Sequence, residues 1–188
     1  TDSTRISKEM QETAKDFIIR NYGENYYPSK PNVYGSKGSA QDAHEAIRPT
    51  SLELTPKMVE PFLSRDELKL YTLIWNRFMA SQMAPQQNES TTIELNVKDD
   101  YTFKATGSRV IFPGFSAVYE DAKKEDVPQL PALKKNDAAH TVEVLPEQHF
   151  TQPPPRYSEA SLIKTLEELG IGRPSTYAPI LDTIVSRN

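Results

Sequence analysis

The stretch SRDELKLYTLIWNRFMASQMAPQQNESTTIELNVKDDYTFKA, residues 64–105, contains two hydrophobic periods, and the change between them indicates the fold class. In its first half, apolar side chains recur every three or four residues and predict an amphipathic helix, which opens at Ser64 with a Ser-x-x-Glu capping box. From Thr91 onward, apolar and polar side chains alternate, as is typical of a strand. Asp99-Asp100 predicts a turn before the alternation resumes. A helix followed by an antiparallel β unit favours the α+β class.

Toward the N-terminus, apolar side chains at helical spacing predict a helix over residues 7–22. Residues 24–50 are irregular and contain several Pro and Gly, and a segment of this length in a compact domain is usually functional or mobile. A Thr55-Pro56 pair predicts the start of a short helix. Trp75, within an aromatic stripe, is expected in the core and not on a base-stacking surface.

Toward the C-terminus, β-type patterning continues through residues 108–120 and returns at 140–150, separated by a charged segment that we expect to be an exposed loop. The prolines of TQPPPRYSEASL then mark a boundary. Two amphipathic helices joined by a Gly turn follow, which is the outline of a helix-turn-helix. We therefore predict a helical part at 1–85, a β-rich part at 86–150 and a second helical part, with the outline of a helix-turn-helix, at 151–188.

The composition excludes several kinds of protein. The chain has 188 residues, a net charge of -4 and no Cys, which rules out disulfides and thiolate metal sites. No apolar run approaches the roughly 20 residues of a membrane span, so we expect no membrane partner. The absence of Cys fits a reducing cytosol, which is the expected location. Residues 86–155 hold 7 basic and 11 acidic side chains, while both flanks are neutral. Binding of a polyanion would therefore need converging Arg side chains and not bulk charge.

The string AHEAIR places His44 and Arg48 four residues apart, on one face if the segment is helical. Such a pair can clamp a phosphate and move a proton near neutral pH. The alternative is a partly exposed polar pair near a helix end, which the spacing alone favours. A zinc site is not supported, because the H-E-x-x-H pattern has Arg at position 48 and because His140 and His149 lack partners at ligand spacing.

Two further strings, PPPRYSEAS and GIGRPSTY, each place an Arg, hydroxyl groups and a Tyr at a predicted helix N-terminus. Backbone N–H groups, the positive end of the helix dipole and a guanidinium together make an anion site. Simple helix capping by Ser158 and by Ser175 or Thr176 explains the hydroxyls equally well. No Walker pattern is present, so a nucleoside triphosphate is not indicated.

Several long strings resemble those of one family, namely TDST (1–4), AHEAIRPT (43–50), LYTLIWNRFMASQM (70–83) and LPEQHFTQPPPRYSEASLIKTLEELGIGRPSTYAPIL (145–181). They resemble bacterial topoisomerase I, the type IA class of DNA topoisomerases, in that family's order. The resemblance implies an enzyme that cuts one DNA strand through a 5′-phosphotyrosine, passes the other strand through the gap and reseals the break without ATP. It also implies a torus of several domains, in which a Toprim domain holds Mg2+.

In this family TDST follows directly on a Tyr-Met-Arg tripeptide that carries the nucleophile. The resemblance therefore implies that the nucleophilic tyrosine lies just upstream of Thr1. We expect the chain to be a central fragment that is inactive alone, with both the nucleophile and the Mg2+ site outside it. None of its nine tyrosines is assigned the nucleophile's role.

By the resemblance, His44 and Arg48 support the cleavage site. The expected DNA-binding residues, which contact mainly a single strand, are Arg156, Ser158, Arg173, Ser175, Thr176 and Tyr177. The expected location is the cytoplasm, at the nucleoid, and self-association of the fragment stays open. Two rival hypotheses are a stand-alone helix-turn-helix DNA-binding module and a protein-interaction scaffold.

Overall fold

The structure is a computed structural model, and it describes residues 3–35, 44–97, 101–119 and 130–187. The described residues form five α-helices and two strands: α1 (Lys8–Tyr22), α2 (Pro56–Val59), α3 (Arg65–Gln82), β1 (Gln87–Val97), β2 (Tyr101–Phe112), α4 (Glu159–Glu168) and α5 (Pro174–Ser186). The chain divides into two compact units. The larger unit contains residues 4–36 and 45–139, and the smaller unit contains residues 1–3, 37–44 and 140–188.

Helix α1 begins and ends where its sequence predicts. The Ser7 hydroxyl accepts a hydrogen bond from the backbone N–H of Met10 at 3.3 Å, which satisfies one of the free donors of the first turn. The helix ends at Gly23, whose φ of 106° is available to glycine at little cost. The Gly23 N–H reaches back to the carbonyl oxygens of Ile18 and Ile19.

Helix α3 opens with the predicted capping box. The Glu67 carboxylate accepts hydrogen bonds from the Ser64 backbone N–H at 2.9 Å and from its hydroxyl at 2.6 Å. In return, the Ser64 hydroxyl oxygen accepts from the Glu67 N–H at 3.4 Å. The prediction from the S-x-x-E pattern is confirmed.

The core of the larger unit lies between α1 and α3, and it includes the predicted Trp75. This indole is 5% exposed, and its Nε1–H donates to the carbonyl oxygen of Leu52 at 3.3 Å. The Phe17 ring meets it edge-on, with the ring centres 5.9 Å apart. The remaining buried members of this core are Ala14, Ile18, Phe78, Met79 and Met83.

Strands β1 and β2 form a two-stranded antiparallel ribbon, in register from Asn88 opposite Val110 to Val97 opposite Tyr101. The register shifts by one residue at the base, where Gln87 lies opposite Phe112. The predicted turn at Asp99-Asp100 lies outside the described residues. Most side chains of the ribbon are exposed. Its base is anchored, because the Phe112 ring lies 4.9 Å from that of Tyr26.

One prediction of β structure holds in part and another is wrong. The β structure predicted over residues 108–120 is confirmed up to Phe112. Strand β2 ends at Phe112, because Pro113 has no N–H to donate to a ladder, and residues 114–117 form a 3₁₀ turn. Residues 140–150 form no strand, although Val142 and Val144 alternate with polar residues. Val142 is 99% exposed, and an alternating segment needs a neighbouring strand to become one. Residues 131–139 are exposed, as expected of a loop, and Leu130 is partly buried. Residues 120–129 of that predicted loop lie outside the described residues.

In the smaller unit, α4 and α5 form a helical hairpin. Glu159, the first residue of α4, lines the same cavity as Leu181 and Val185, in the second half of α5. The two helices therefore run in opposite directions, and their N-termini lie at opposite ends of the hairpin. The division of the chain into parts 1–85, 86–150 and 151–188 stays a prediction.

Candidate nucleic-acid interface

Residues 44–48 are not helical, so the argument that His44 and Arg48 share a helix face does not apply. The backbone N–H of Ala46 donates to the carbonyl oxygen of Arg5 at 2.8 Å, which holds this segment beside the residues that precede α1. Pro49 also disfavours helical backbone at Arg48. His44 is exposed and belongs to the smaller unit.

Arg48 is held by its own neighbours. Its Nε–H and Nη2–H donate to one carboxylate oxygen of Glu45 at 3.1 and 3.0 Å, and its Nη1–H donates to the Pro49 carbonyl oxygen at 3.3 Å. These bonds use three of the five N–H groups of the guanidinium. The side chain is 25% exposed, which leaves the remaining N–H groups a route to a ligand.

Glu45 is in turn bound to the N-terminus of α1. Both the backbone N–H and the hydroxyl of Ser7 hydrogen-bond to its carboxylate. Partial burial raises the pKa of Glu45, but the hydrogen bonds and charge of Arg48, with those of Ser7, outweigh burial and hold the pKa below its ordinary value. Sequence analysis missed this role of Glu45. No local signal reveals it, because Ser7 and Glu45 are far apart in the sequence.

At the start of α4, the predicted hydroxyls serve as caps. The Ser158 hydroxyl accepts from the backbone N–H of Ser161 at 3.2 Å, and the Ser161 hydroxyl accepts from that of Ser158 at 2.8 Å. Arg156 lies two residues earlier and is exposed. The capping reading is confirmed for Ser158, while a DNA contact stays a prediction.

At the start of α5, the capping position belongs to Arg173 and not to Ser175 or Thr176. Thr176 lies in the first turn, where its hydroxyl accepts from the Arg173 backbone N–H at 2.8 Å and donates to the Arg173 carbonyl oxygen at 3.0 Å. The Arg173 and Ser175 side chains are exposed, and Tyr177 is half-buried. A Cβ on Gly172 would lie 3.2 Å from the Tyr177 ring, so the turn packs closely against this tyrosine.

The structure therefore separates the two Arg–hydroxyl elements. Helix α4 has 10 residues, and at a rise of 1.5 Å per residue the two helix N-termini lie about 15 Å apart along the hairpin. One element carries Arg156 and the other carries Arg173. The arrangement suits a ligand with several spaced negative charges better than a single small anion.

The expected place of the nucleophile is next to a residue that the structure does not describe. The nucleophilic tyrosine is predicted just upstream of Thr1. Both Thr1 and Asp2 lie outside the described residues. The structure therefore gives no geometry for the start of the TDST string before Ser3. The position of the nucleophile just upstream of Thr1 stays a prediction.

No described residues form a group of three or more acidic or His side chains able to hold a metal ion. In the same part of the chain, no helix is both long and apolar enough to cross a membrane.

Comparison with known proteins decides the family. The family model described as DNA topoisomerase matches residues 1–188. The chain belongs to the bacterial DNA topoisomerase family. It is 47% identical over 195 aligned residues to DNA topoisomerase 1 of Xylella fastidiosa strain Temecula1, and the same holds for the protein of strain 9a5c.

The structure of full-length topoisomerase I from Thermotoga maritima is similar to this chain, with a TM-score of 0.75 and 37% sequence identity. That match covers 100% of this chain and 29% of the Thermotoga protein. Against the two Xylella topoisomerases, the chain spans about a quarter of their length, 24% in each case. The predicted family and the α+β fold class are confirmed.

Proposed function

We propose that this chain is the strand-guiding part of a type IA DNA topoisomerase, which relaxes negatively supercoiled DNA by transient single-strand cleavage and religation without ATP. The observation that carries the proposal is the match of the topoisomerase family to all 188 residues. The described geometry adds the residues that would hold the strand.

The hairpin of the smaller unit is the proposed surface for single-stranded DNA. Arg156 and Arg173 are exposed near helix N-termini about 15 Å apart. A strand lying along the hairpin would then place separate phosphates against the two guanidinium groups. Tyr177 is half-buried and offers part of its ring for stacking. Ser158, Ser175 and Thr176 would contact the same strand.

Arg48 and His44 are the proposed supports of the cleavage site. The two N–H groups of Arg48 that Glu45 and Pro49 leave unused match the two oxygens of a phosphate. His44 would donate a hydrogen bond to a phosphate oxygen or transfer a proton at the cleavage site. Nothing in this role requires the two side chains to share a helix.

The chain is proposed to lack the nucleophile. Burial raises the pKa of Tyr22, Tyr27 and Tyr71, and it also raises that of Tyr34 despite a hydrogen bond from Asn32. For these four tyrosines, a nucleophilic role would need the opposite change, toward the phenolate. The described residues also do not fit a Mg2+ site, so the ion would be bound by other residues of a complete enzyme.

A stand-alone helix-turn-helix module explains the smaller unit alone. The family match covers the larger unit as well, including the β ribbon and the AHEAIR segment, which that module leaves without a role. The hypothesis of a protein-interaction scaffold expects no binding of DNA, whereas the proposal requires it.

The test is a relaxation assay on negatively supercoiled plasmid with Mg2+. We expect the 188-residue chain to leave the plasmid supercoiled, and the full-length protein of the complete reading frame to relax it. Relaxation or a covalent DNA adduct with the 188-residue chain alone would contradict the proposal, as would an inactive full-length protein.

A further inference from the structure

We propose that Glu45 is a positioning residue for Arg48, and that Ser7 at the N-terminus of α1 fixes Glu45 in turn. In this arrangement one edge of the guanidinium is bound by protein and the other is presented to a phosphate. The inference rests on the proposed role of Arg48 and adds the means by which that side chain is oriented.

The hydrogen bonds form a continuous path. Ser7 donates to Glu45 through both its backbone N–H and its hydroxyl, and Glu45 accepts two bonds from Arg48 on one oxygen. The same Ser7 hydroxyl oxygen accepts from the Met10 N–H, so it is fixed by the first turn of α1. A side chain with many rotamers is thereby tied to a rigid helix end, which lowers the entropy lost when a ligand binds.

The Arg48–Glu45 ion pair is less exposed than another ion pair of the larger unit. Its side chains are 25% and 31% exposed, whereas those of Arg20 and Glu53 are 60% and 68% exposed. An exposed pair contributes little and holds its partners loosely. A half-buried carboxylate with several donors keeps its geometry better, and the positive end of the α1 dipole favours its ionised form.

A second reading of the same contact makes an opposite prediction. If Glu45 only occupied Arg48 until a phosphate displaced it, then removing the carboxylate charge would strengthen binding of DNA. If Glu45 orients Arg48, then removing the charge weakens binding, because the guanidinium must be ordered during binding. The sign of the change therefore separates orientation from competition.

The experiment measures the affinity of the 188-residue chain for a single-stranded oligonucleotide by fluorescence anisotropy. We expect Glu45→Gln to weaken binding by about three- to tenfold, the effect of losing one charge-assisted hydrogen-bond arrangement. In an Arg48→Ala background, the same substitution should change affinity by less than about twofold, since its effect passes through Arg48. Glu53→Gln is the matched control, because it removes an ion-paired carboxylate from the same unit, and it should bind like the wild type.

A second measurement does not depend on DNA. The Nε–H resonance of Arg48 in an NMR spectrum should exchange slowly with water in the wild type and quickly in Glu45→Gln. If Glu45→Gln does not fold, as judged by circular dichroism, then Glu45→Asp replaces it. That variant keeps the charge but withdraws the carboxylate by one methylene, and it should weaken binding in the same direction.

The outcomes distinguish the two proposals. Absence of binding by the wild type, or unchanged binding by Arg48→Ala, would overturn the proposed function and this inference with it. Weak binding by Arg48→Ala, combined with wild-type or tighter binding by Glu45→Gln, would overturn the inference alone. Equal weakening by Glu45→Gln with and without Arg48 would also overturn it, since the effect would then be structural.

Discussion

The backbone N–H of Phe115 donates to the carbonyl oxygen of Ala84 at 2.9 Å, which joins the end of β2 to the segment that follows α3. The N–H of Ala84 in turn donates to the carbonyl oxygen of Tyr26 at 2.8 Å. The base of the β ribbon is therefore fixed to the helical core by main-chain hydrogen bonds, although most of the ribbon is exposed.

Gly114 permits this junction, and its replacement should break it. A Cβ at this position would lie 2.5 Å from the Ala84 carbonyl oxygen and 2.6 Å from the Pro85 carbonyl carbon, and its φ is 50°. Both neighbours are backbone atoms that cannot turn away. We expect Gly114→Ala to lower the free energy of unfolding by about 3 kcal/mol, measured by urea denaturation.

Gly35→Ala is the control for that substitution. Nothing lies within 4 Å of a Cβ at Gly35, and its φ is not in the left-handed region. This variant should unfold within about 0.5 kcal/mol of the wild type. Equal stability of the two variants would show that the junction at Gly114 does not constrain the fold.

Because one face of α3 packs in the core, substitutions at two residues of this helix should differ in their effect on stability. Met79 is fully buried, whereas Leu73 is 50% exposed. We expect Met79→Ala to lower the free energy of unfolding by about 2–5 kcal/mol, because it leaves a cavity, and Leu73→Ala to lower it by less than about 1 kcal/mol. Chemical denaturation of both variants checks this, and a reversed order would contradict the assigned core.

The capping box of α3 predicts a pH dependence. The hydroxyl and the backbone N–H of Ser64 hold the pKa of Glu67 below its ordinary value of 4.5. A carboxyl whose pKa is lowered by folding stabilises the folded state at any pH above its ordinary pKa. This stabilisation is lost as the pH falls from the ordinary pKa through the lowered pKa of the folded state.

We therefore expect Ser64→Ala to lower the free energy of unfolding by about 1 kcal/mol at neutral pH. The difference should shrink well below pH 4.5, where Glu67 is protonated in both proteins. Denaturation curves of both proteins at neutral pH and at a pH well below 4.5 measure this difference. A difference that is independent of pH would show that the carboxylate takes no part in the cap.

Local patterns predicted the elements whose determinants are local. Ser7 and Ser64 cap helices within three residues of themselves, and the burial of Trp75 follows from its place in an apolar stripe. The end of β2 also has a local signal, because Pro113-Gly114 strongly favours a break. The prediction nevertheless extended the strand, because the residues on both sides of this pair are apolar.

Elements that depend on distant partners could not be predicted. Residues 140–150 have a strand-like alternation, but no pattern within them shows whether a neighbouring strand exists. The contact of Glu45 with Ser7 joins segments far apart in the sequence, so the residue beside the predicted His44 and Arg48 was passed over. The two Arg–hydroxyl elements were recognised, while their placement at opposite ends of a hairpin required the fold.

The central claim is that the hairpin guides a single strand of DNA, and the salt dependence of oligonucleotide binding tests it most directly. Arg156→Ala and Arg173→Ala should each weaken binding of a single-stranded oligonucleotide and each reduce the slope of log affinity against log salt by about 0.7, because each removes one phosphate contact. Arg65→Ala removes another exposed arginine, at the start of α3, and should leave the slope unchanged. Slopes for Arg156→Ala and Arg173→Ala equal to that of the wild type would contradict the account.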